Sequence, residues 1–173
     1  MTTLRYSDYS TPVGTLRCAT RDTVAAVIVG MAWVSHWDAI LERLVKRFGD
    51  VEPVDGQPIP EMVRYLAGEC KAIDTLIADT GGTDFQHSVW TELRKIPPGE
   101  TISYSELAAR IGRPGASRAA GTANGANPIW VIVPCHRVVG ADGDLTGYAG
   151  GLERKAWLLA HEGAVPARRT SLH

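Results

Sequence analysis

Short apolar segments separated by turn residues fill the first thirty positions. They read LRYSDYS, TLRCAT and VAAVIVG, and a Pro-Val-Gly turn joins the first two. Their strand-like composition and polar breaks predict three strands, and short connections favour an antiparallel sheet. From His36 to Phe48 the apolar residues recur at helical spacing and stop before Gly49, which predicts a helix with a glycine cap.

The following segments complete a small N-terminal domain. VEPVDGQPIP is rich in proline and predicts a loop, residues 61–71 predict a second helix, and IDTLIAD alternates as one more strand would. TGG at 80–82 is the best linker candidate. We therefore predict an α+β fold with a small antiparallel sheet and helices in residues 1–80 and a mostly helical domain in residues 81–173.

Helical signals dominate the second half. Asp84 to Ile96 is amphipathic and stops at Pro-Pro-Gly, and the capping-box pattern from Ser103 to Glu106 opens the helix YSELAARIG. ASRAAGTANGAN then predicts a helix of small residues with Arg118 as its only long side chain. Close packing against a neighbour is the interpretation that we favour on these residues alone. The other is a helix-turn-helix whose thin second helix enters the narrow DNA minor groove.

Composition and charge limit the class of protein. The chain has 45% hydrophobic and 21% charged residues, as ordinary globular proteins do. The longest apolar run, Val24 to Val34, is too short to cross a bilayer, and the N-terminus lacks a signal-peptide pattern. We therefore predict a cytoplasmic protein with no membrane role. The net charge of −1 combines −4 over residues 1–84 with +3 over residues 85–173, so the second half is the better candidate for an anionic partner.

The cysteines argue against disulfides and metals. Cys18, Cys70 and Cys135 are an odd number and form no C-x-x-C pair, which disfavours a disulfide framework and a structural zinc site. A histidine stands close to a cysteine only at Cys135-His136, so we expect no metal. We expect Cys18 and Cys70 to be inert thiols.

VPCHRVVG contains a thiol with a base and a cation beside it. IWVIV at 129–133 predicts a buried strand or extended segment that ends at Pro134, so Cys135 lies at a bend. The neighbouring His136 and arginine can lower the pKa of a thiol and supply thiolate. Glu162 is a candidate third member of a Cys-His-acid relay, although its position before a glycine is more typical of a solvated residue. Spacing alone leaves redox chemistry, hydrolysis and group transfer open.

NPIWVIVPCHRVVG resembles the active-site signature of the O6-alkylguanine-DNA alkyltransferases, also called methylated-DNA–protein-cysteine methyltransferases. The resemblance extends, in order and spacing, to GTDFQHSVW, IPPGETISYSELA, SRAAGTANGANP, LTGYAGGLERKAWLL and HEGA. It covers residues 82–164, about half of the chain, and several independent motifs agree. The N-terminal half is similar only in outline, to that family's sheet-with-helices domain.

The resemblance implies DNA repair by a single-turnover transfer, in which the alkyl group of O6-alkylguanine, or of O4-alkylthymine, moves from DNA to Cys135 after base flipping. No cofactor is implied. Cys135 would be the nucleophile, His136 would take its proton through a water, and Glu162 would complete the relay. Asn127 would brace the turn that carries the cysteine, and Tyr148 would donate toward O6 as guanine leaves.

The same resemblance implies a helix-turn-helix that binds double-stranded DNA through the minor groove. Tyr104 would promote rotation of the target nucleotide, and Arg118 would fill the vacated stack. Ser117, Ala119 and Gly121, on the helix of small residues, would also face the DNA. We expect a monomer in solution that is able to assemble cooperatively on DNA.

The substrate pocket is expected to contain Trp130, Val138, Ala149 and Gly150. Trp130 stands where some family members have a smaller residue or proline, and we hypothesise that it narrows the pocket against bulky adducts such as benzyl. Ala149 stands where some members carry serine, so any contact from a serine hydroxyl is absent. Alkyltransferase-like proteins, which bind damaged DNA without repairing it, replace the cysteine, so Cys135 argues against that class.

Overall fold

The computed structural model describes residues 1–21, 26–164 and 168–169. The chain divides into two compact units, one of Met1–Gly81 with Pro128–Ile132 and one of Gly82–Asn127 with the residues from Val133 onward. The first unit thus includes a short segment, Pro128–Ile132, that the sequence pattern assigns to the C-terminal domain.

A five-stranded sheet forms the centre of the first unit. β1 (Thr2–Thr11), β2 (Gly14–Arg21) and β3 (Val27–Trp33) pair antiparallel, as predicted, although the start of the predicted third strand lies outside the described residues. β4 (Val51–Asp55) and β5 (Ile77–Ala78) add parallel neighbours at the edges, in the order β4-β1-β2-β3-β5. The sheet is therefore mixed, and the prediction of an antiparallel sheet is wrong for both edges.

Two local predictions fail in this unit. VEPVDGQPIP contains β4 as well as a loop, because Pro53 lies on an edge strand where a missing amide donor is tolerated. A 3₁₀ turn over Ala72–Thr75 takes up the start of IDTLIAD, and the strand shrinks to Ile77–Ala78. The buried Ile73 and Leu76 are three residues apart, which suits a 3₁₀ repeat better than strand alternation.

Two helices complete the first unit. α1 (Trp37–Phe48) packs on β3 and ends at Gly49, whose φ of 78° fits the predicted glycine cap. α2 (Pro60–Leu66) begins with a proline, which suits the first helical position, and is shorter than the predicted 61–71.

Replacing Gly30 with valine is expected to lower the free energy of unfolding by about 1–3 kcal/mol, because a side chain there overpacks the contact between β3 and α1. A Cβ at Gly30 would lie 3.0 Å from Ile40 Cγ2 and 3.2 Å from Leu44 Cδ1. Chemical denaturation measures the change. Gly125→Ala is the control, since a Cβ there meets no described atom within 4 Å. A Gly30→Val protein as stable as wild type would contradict this account of the packing.

The described part of the second unit contains four α-helices and two short parallel strand pairs. The helices are α3 (Asp84–Leu93), α4 (Tyr104–Arg110), α5 (Ser117–Gly125) and α6 (Leu152–His161). The strand pairs are β6 (Ile102–Ser103) with β7 (Val138–Val139) and β8 (Asp144–Leu145) with β9 (Arg168–Arg169). The predicted α+β class is confirmed. Across the described ranges, no helix has the length and apolar character that a membrane crossing needs.

Local side-chain bonds fix two helix starts. Glu106 N donates to Ser103 Oγ at 3.1 Å and caps α4 as predicted. The Glu106 carboxylate, predicted to reach back to residue 103, instead accepts from Arg110 Nη2 at 3.0 Å, because opposite charges four residues apart meet on a helix surface. α3 has a full capping box, formed by Thr83 and Gln86, which was not predicted from the sequence.

IWVIV is buried, as predicted, but is not a strand. Ile129 forms an isolated parallel bridge with Met31, and Val131 has a φ of 73°, which interrupts an extended run. Pro134 ends the segment, and Cys135 begins a 3₁₀ turn that extends to Arg137.

Candidate active site

Cys135 lies almost fully buried in the second unit, with 6% of its surface exposed. Two asparagine side chains hold the main chain around it. Asn127 Nδ2 donates to Val133 O at 2.7 Å, and Asn124 Nδ2 donates to Cys135 O at 3.3 Å. The sequence gives no signal for Asn124, which is on the last turn of α5. The turn that carries the thiol is therefore tied to the end of that helix.

The two residues that follow the cysteine converge on Glu162. His136 Nε2 lies 2.9 Å from Glu162 Oε2. Arg137 donates from Nε to Oε1 and from Nη2 to Oε2, both at 2.8 Å, and from Nη1 to Ile96 O at 2.6 Å. All three ionisable side chains are buried. The expectation of a solvated Glu162 is wrong, because its carboxylate faces inward against two partners. The sequence names Arg137 only as a nearby cation and gives it no role.

The partners of Glu162 keep the acid ionised, and burial keeps the histidine neutral. Burial by itself raises the pKa of Glu162, but the charges and hydrogen bonds of His136 and Arg137 outweigh it and hold that pKa far below its ordinary value. Burial lowers the pKa of His136, although Glu162 pulls it upward. An ionised Glu162 only accepts, so His136 Nε2 donates and Nδ1 keeps its lone pair. Nδ1 is buried, with no hydrogen-bond partner among the described residues, and is available as a base.

The Cys135 thiol keeps its proton near neutral pH. Burial raises the pKa of Cys135, while a hydrogen bond from Asn127 and the charge of Lys155 oppose the rise. The expectation that neighbouring groups lower this pKa is therefore wrong in its net direction, because burial outweighs them. Burial also raises the pKa of Cys18 to about 12, which makes its thiolate scarce.

Lys155 is a buried cation and is not among the site residues predicted from the sequence. Its ammonium donates to three main-chain carbonyls, those of Val138, Thr146 and Gly147, at 2.6, 2.7 and 3.1 Å. Burial lowers the pKa of Lys155 to about 8, although Cys135 opposes the shift. A signal exists in the pattern, since Lys155 lies on the face of α6 that carries the apolar Leu152 and Leu159. Lys155 thus joins β7 to the loop that leads to Tyr148.

Both implicated tyrosines lie in this unit. Tyr104 Oη donates to Thr146 O at 3.3 Å, so it shares that carbonyl with Lys155. Burial raises the pKa of Tyr148 well above its ordinary value, and the negative charges of Cys135 and Glu162 add to the rise. The Tyr148 hydroxyl therefore keeps its proton and is able to donate a hydrogen bond.

α5 has a packed side and an open side. Ala120 and Ala123 are buried, and Trp90 Nε1 donates to Ala123 O at 2.9 Å. The open side carries the expected DNA-facing residues, which are exposed or half-buried: Ser117, Arg118, Ala119 and Gly121. A largely apolar cavity of about 670 Å³ lies beside Arg118 and reaches Phe85 at the start of α3. The small residues thus allow close packing on one side and leave a smooth surface on the other.

The expected pocket residues are divided between the two units. In the second unit, Val138 and Gly150 are buried and Ala149 is exposed. Trp130 belongs to the first unit, where its ring centroid lies 6.2 Å from that of Trp33 and 5.6 Å from that of His36. Across the residues that the structure describes, no group of three or more histidine, cysteine, aspartate or glutamate side chains could hold a metal ion.

Comparison with known proteins gives one family match in the second half and a relative that covers most of the chain. Residues 84–164 match the family described as 6-O-methylguanine DNA methyltransferase, DNA binding domain. The methylated-DNA–protein-cysteine methyltransferase of Mycolicibacterium paratuberculosis is 43% identical over 159 residues, which cover 92% of this chain and 92% of that protein. The chain belongs to the methylated-DNA–protein-cysteine methyltransferase family.

Other members of the methylated-DNA–protein-cysteine methyltransferase family are also similar to this chain. The Salmonella typhimurium protein is 60% identical over 103 residues, and the match spans 60% of its length and 60% of this chain. Mycobacterium tuberculosis OGT in complex with DNA is similar in structure, with a TM-score of 0.74, 40% identity and coverage of 93% of this chain and 92% of that one. The O6-methylguanine-DNA methyltransferase of Pyrococcus kodakaraensis has a TM-score of 0.72 at 29% identity, with coverage of 93% and 99%.

Proposed function

We propose that this chain repairs DNA by transferring the alkyl group of O6-alkylguanine to Cys135, once per molecule. The observation that carries the proposal is the neutral His136, whose Nε2 is engaged by Glu162, whose Nδ1 has no hydrogen-bond partner among the described residues, and which directly follows the buried Cys135 in sequence. Membership of the methylated-DNA–protein-cysteine methyltransferase family supports the same reaction.

In the proposed step the Cys135 proton passes through a bridging water to His136 Nδ1, and the thiolate attacks the alkyl carbon. The sulfur–carbon bond forms as the bond from that carbon to O6 breaks. Negative charge develops on the guanine, and the protonated Tyr148 hydroxyl donates toward O6. His136 returns the proton through water to the guanine anion, so the restored base and the imidazole both end neutral. Cys135 keeps a stable thioether, which is not converted back to a thiol. No cofactor takes part.

Intact-mass spectrometry after incubation with a duplex that contains O6-methylguanine tests the reaction. We expect one added methyl group per chain, and peptide mapping is expected to locate it on Cys135. Cys135→Ser is the control and is expected to gain no methyl group. An unmodified wild-type chain, or a methyl group on Cys18 or Cys70, would show the proposal to be wrong.

The proposed DNA interface is a helix-turn-helix of α4 and α5 that enters the minor groove. Its support is the open side of α5, which is smooth apart from Arg118, and the similarity to M. tuberculosis OGT in complex with DNA. Tyr104 and Arg118 would bring the target base out of the stack. Activity on O4-alkylthymine, a cytoplasmic location, a monomeric state and cooperative assembly on DNA stay predictions from the sequence.

Replacing Arg118 with alanine is expected to slow repair of duplex DNA by about tenfold or more, because the vacated stack loses the side chain that fills it. Reaction with free O6-benzylguanine needs no base flipping and is expected to be unchanged. Rate constants for the two substrates make the comparison, with Arg64→Ala, a surface arginine of α2, as the control. Equal losses on both substrates would contradict a role in flipping.

Replacing Trp130 with alanine is expected to speed inactivation by O6-benzylguanine by about tenfold or more, because a narrower pocket discriminates against a bulky adduct. The rate with O6-methylguanine in DNA, measured on the same preparation, corrects for any loss of folded protein from removing this buried ring. Equal inactivation of the two proteins would mean that Trp130 does not limit the pocket.

A further inference from the structure

The approach to Cys135 contains an unusual backbone conformation. Among the described non-glycine residues, Val131 and Asp142 alone have a positive φ. Asp142 is exposed, whereas Val131 is fully buried and has a φ of 73°. This region is unfavourable for a β-branched side chain, and such a residue persists there only where the surrounding structure enforces it.

Val131 lies at the centre of a three-residue turn. Ile132 N donates to Trp130 O at 2.9 Å, which makes a γ-turn, and the positive φ identifies its rarer, strained form. A second such turn follows, in which Cys135 N donates to Val133 O at 2.9 Å around Pro134. Pro134 has φ −84° and ψ 68°, close to the relaxed form of this turn. The chain therefore reaches the thiol through two consecutive tight turns, the first strained and the second relaxed.

Hydrogen bonds hold both ends of this path. At the beginning, Met31 N donates to Pro128 O at 3.0 Å, and Trp130 N donates to Met31 O at 2.9 Å, so β3 holds the segment within the first unit. At the end, Asn127 Nδ2 donates to Val133 O at 2.7 Å. Only a few residues separate the two attachments, and Val131 is the one whose backbone takes the left-handed turn between them.

We propose that Val131 is a positioning residue for alkyl transfer. Its left-handed turn sets the approach of the chain to Cys135, and its buried side chain offsets the strain of that backbone conformation. This inference rests on the proposed function. It differs from a packing role alone, in which the loss of Val131 lowers stability and leaves every folded molecule fully reactive. A small displacement of a reacting atom is enough to slow a reaction greatly.

Two substitutions distinguish an effect of the turn conformation on the rate from an effect of lost side-chain packing. Val131→Ala removes the packed methyl groups and keeps a side chain that disfavours a positive φ, so the turn is expected to relax. Val131→Gly removes the same groups and more, but glycine adopts a positive φ without strain. We expect the limiting single-turnover rate on an O6-methylguanine duplex to fall about tenfold or more for Val131→Ala. We expect Val131→Gly to stay within about threefold of wild type.

The rate is measured at saturating DNA and divided by the folded fraction found by thermal melting. The DNA concentration for half-maximal rate is expected to stay unchanged in both variants, because the DNA-binding surface is intact. Val29→Ala is the matched control, since Val29 is also buried in the first unit, at 1% exposure, and has no positive φ. It is expected to lose stability and keep the wild-type rate.

Each variant is decisive without the other if one fails to fold. A wild-type rate for Val131→Ala would overturn the proposal, as would a tenfold slower rate for folded Val131→Gly. Equal loss in Val131→Ala and Val29→Ala would also overturn it, because it would indicate a general effect of lost packing. A wild-type chain that leaves the lesion intact would instead show the proposed function to be wrong.

Discussion

Replacing Glu162 with glutamine is expected to lower the free energy of unfolding by about 3–5 kcal/mol, because it leaves the buried guanidinium of Arg137 without its charge partner. Arg137 donates to both carboxylate oxygens at 2.8 Å, and an amide offers only one acceptor in their place. Urea denaturation of both proteins at pH 7 measures the difference. Glu42→Gln is the control, since the pair of Glu42 with Lys46 is exposed and contributes less than about 1 kcal/mol. Similar losses in both variants would contradict this account of Arg137.

The stability difference is also expected to depend on pH. The pKa of Glu162 is lowered in the folded chain, so below about pH 4.3, the ordinary value for glutamate, the unfolded chain binds a proton that the folded chain does not. The stabilisation from Glu162 is therefore complete above that pH and is lost as the pH falls toward the folded pKa. The advantage of wild type over Glu162→Gln should shrink in the same range. A constant difference down to pH 3 would contradict a lowered pKa.

Replacing His136 with glutamine is expected to slow methyl transfer at pH 7 by about 10²–10⁴-fold, because glutamine can donate to Glu162 but cannot take the thiol proton. Single-turnover rates on a methylated duplex measure the loss. His161→Gln, a change of a histidine at the end of α6 that stacks on Trp157, is the control. A His136→Gln protein with the wild-type rate would show that another group is the base.

The pH profile of the same variant tests the direction of the two pKa shifts. In wild type, the pKa of His136 lies below its ordinary value, so the ring stays neutral and the rate is expected to fall only below about pH 6.5. In His136→Gln, the thiolate fraction alone sets the rate. Because burial raises the pKa of Cys135, that rate should climb about tenfold per pH unit through pH 9. Parallel profiles for the two proteins would contradict the role of His136.

Periodicity predicted the elements that depend on local sequence. The three antiparallel strands and α1 follow from alternation, helical spacing and the cap at Gly49, all of which are local. Periodicity does not predict β4. Pro53 by itself disfavours a strand, and it is accommodated only because β4 is the edge strand next to β1. IWVIV has a strand composition, yet attachments at both ends bend it at Val131.

In the candidate site, too, residues that are adjacent in sequence are predictable, and contacts between distant residues are not. The motif identifies Cys135 and His136, because both belong to one short segment. Glu162 looks like a solvated residue until the fold brings Arg137 and His136 onto it. Lys155 and Asn124 act through main-chain carbonyls that are distant in sequence, so no side-chain pattern reveals their partners.

One carboxylate oxygen, Glu162 Oε2, contacts both His136 and Arg137. In evolutionary terms, loss of Glu162 is expected to be rare, because it would lower the stability of the fold and remove the proposed partner of His136 at the same time. Loss of the thiol is expected to cost less stability, because burial raises the pKa of Cys135 and favours its uncharged form. A lineage that loses alkyl transfer is therefore expected to change Cys135 first and to retain Glu162 for its contacts with Arg137.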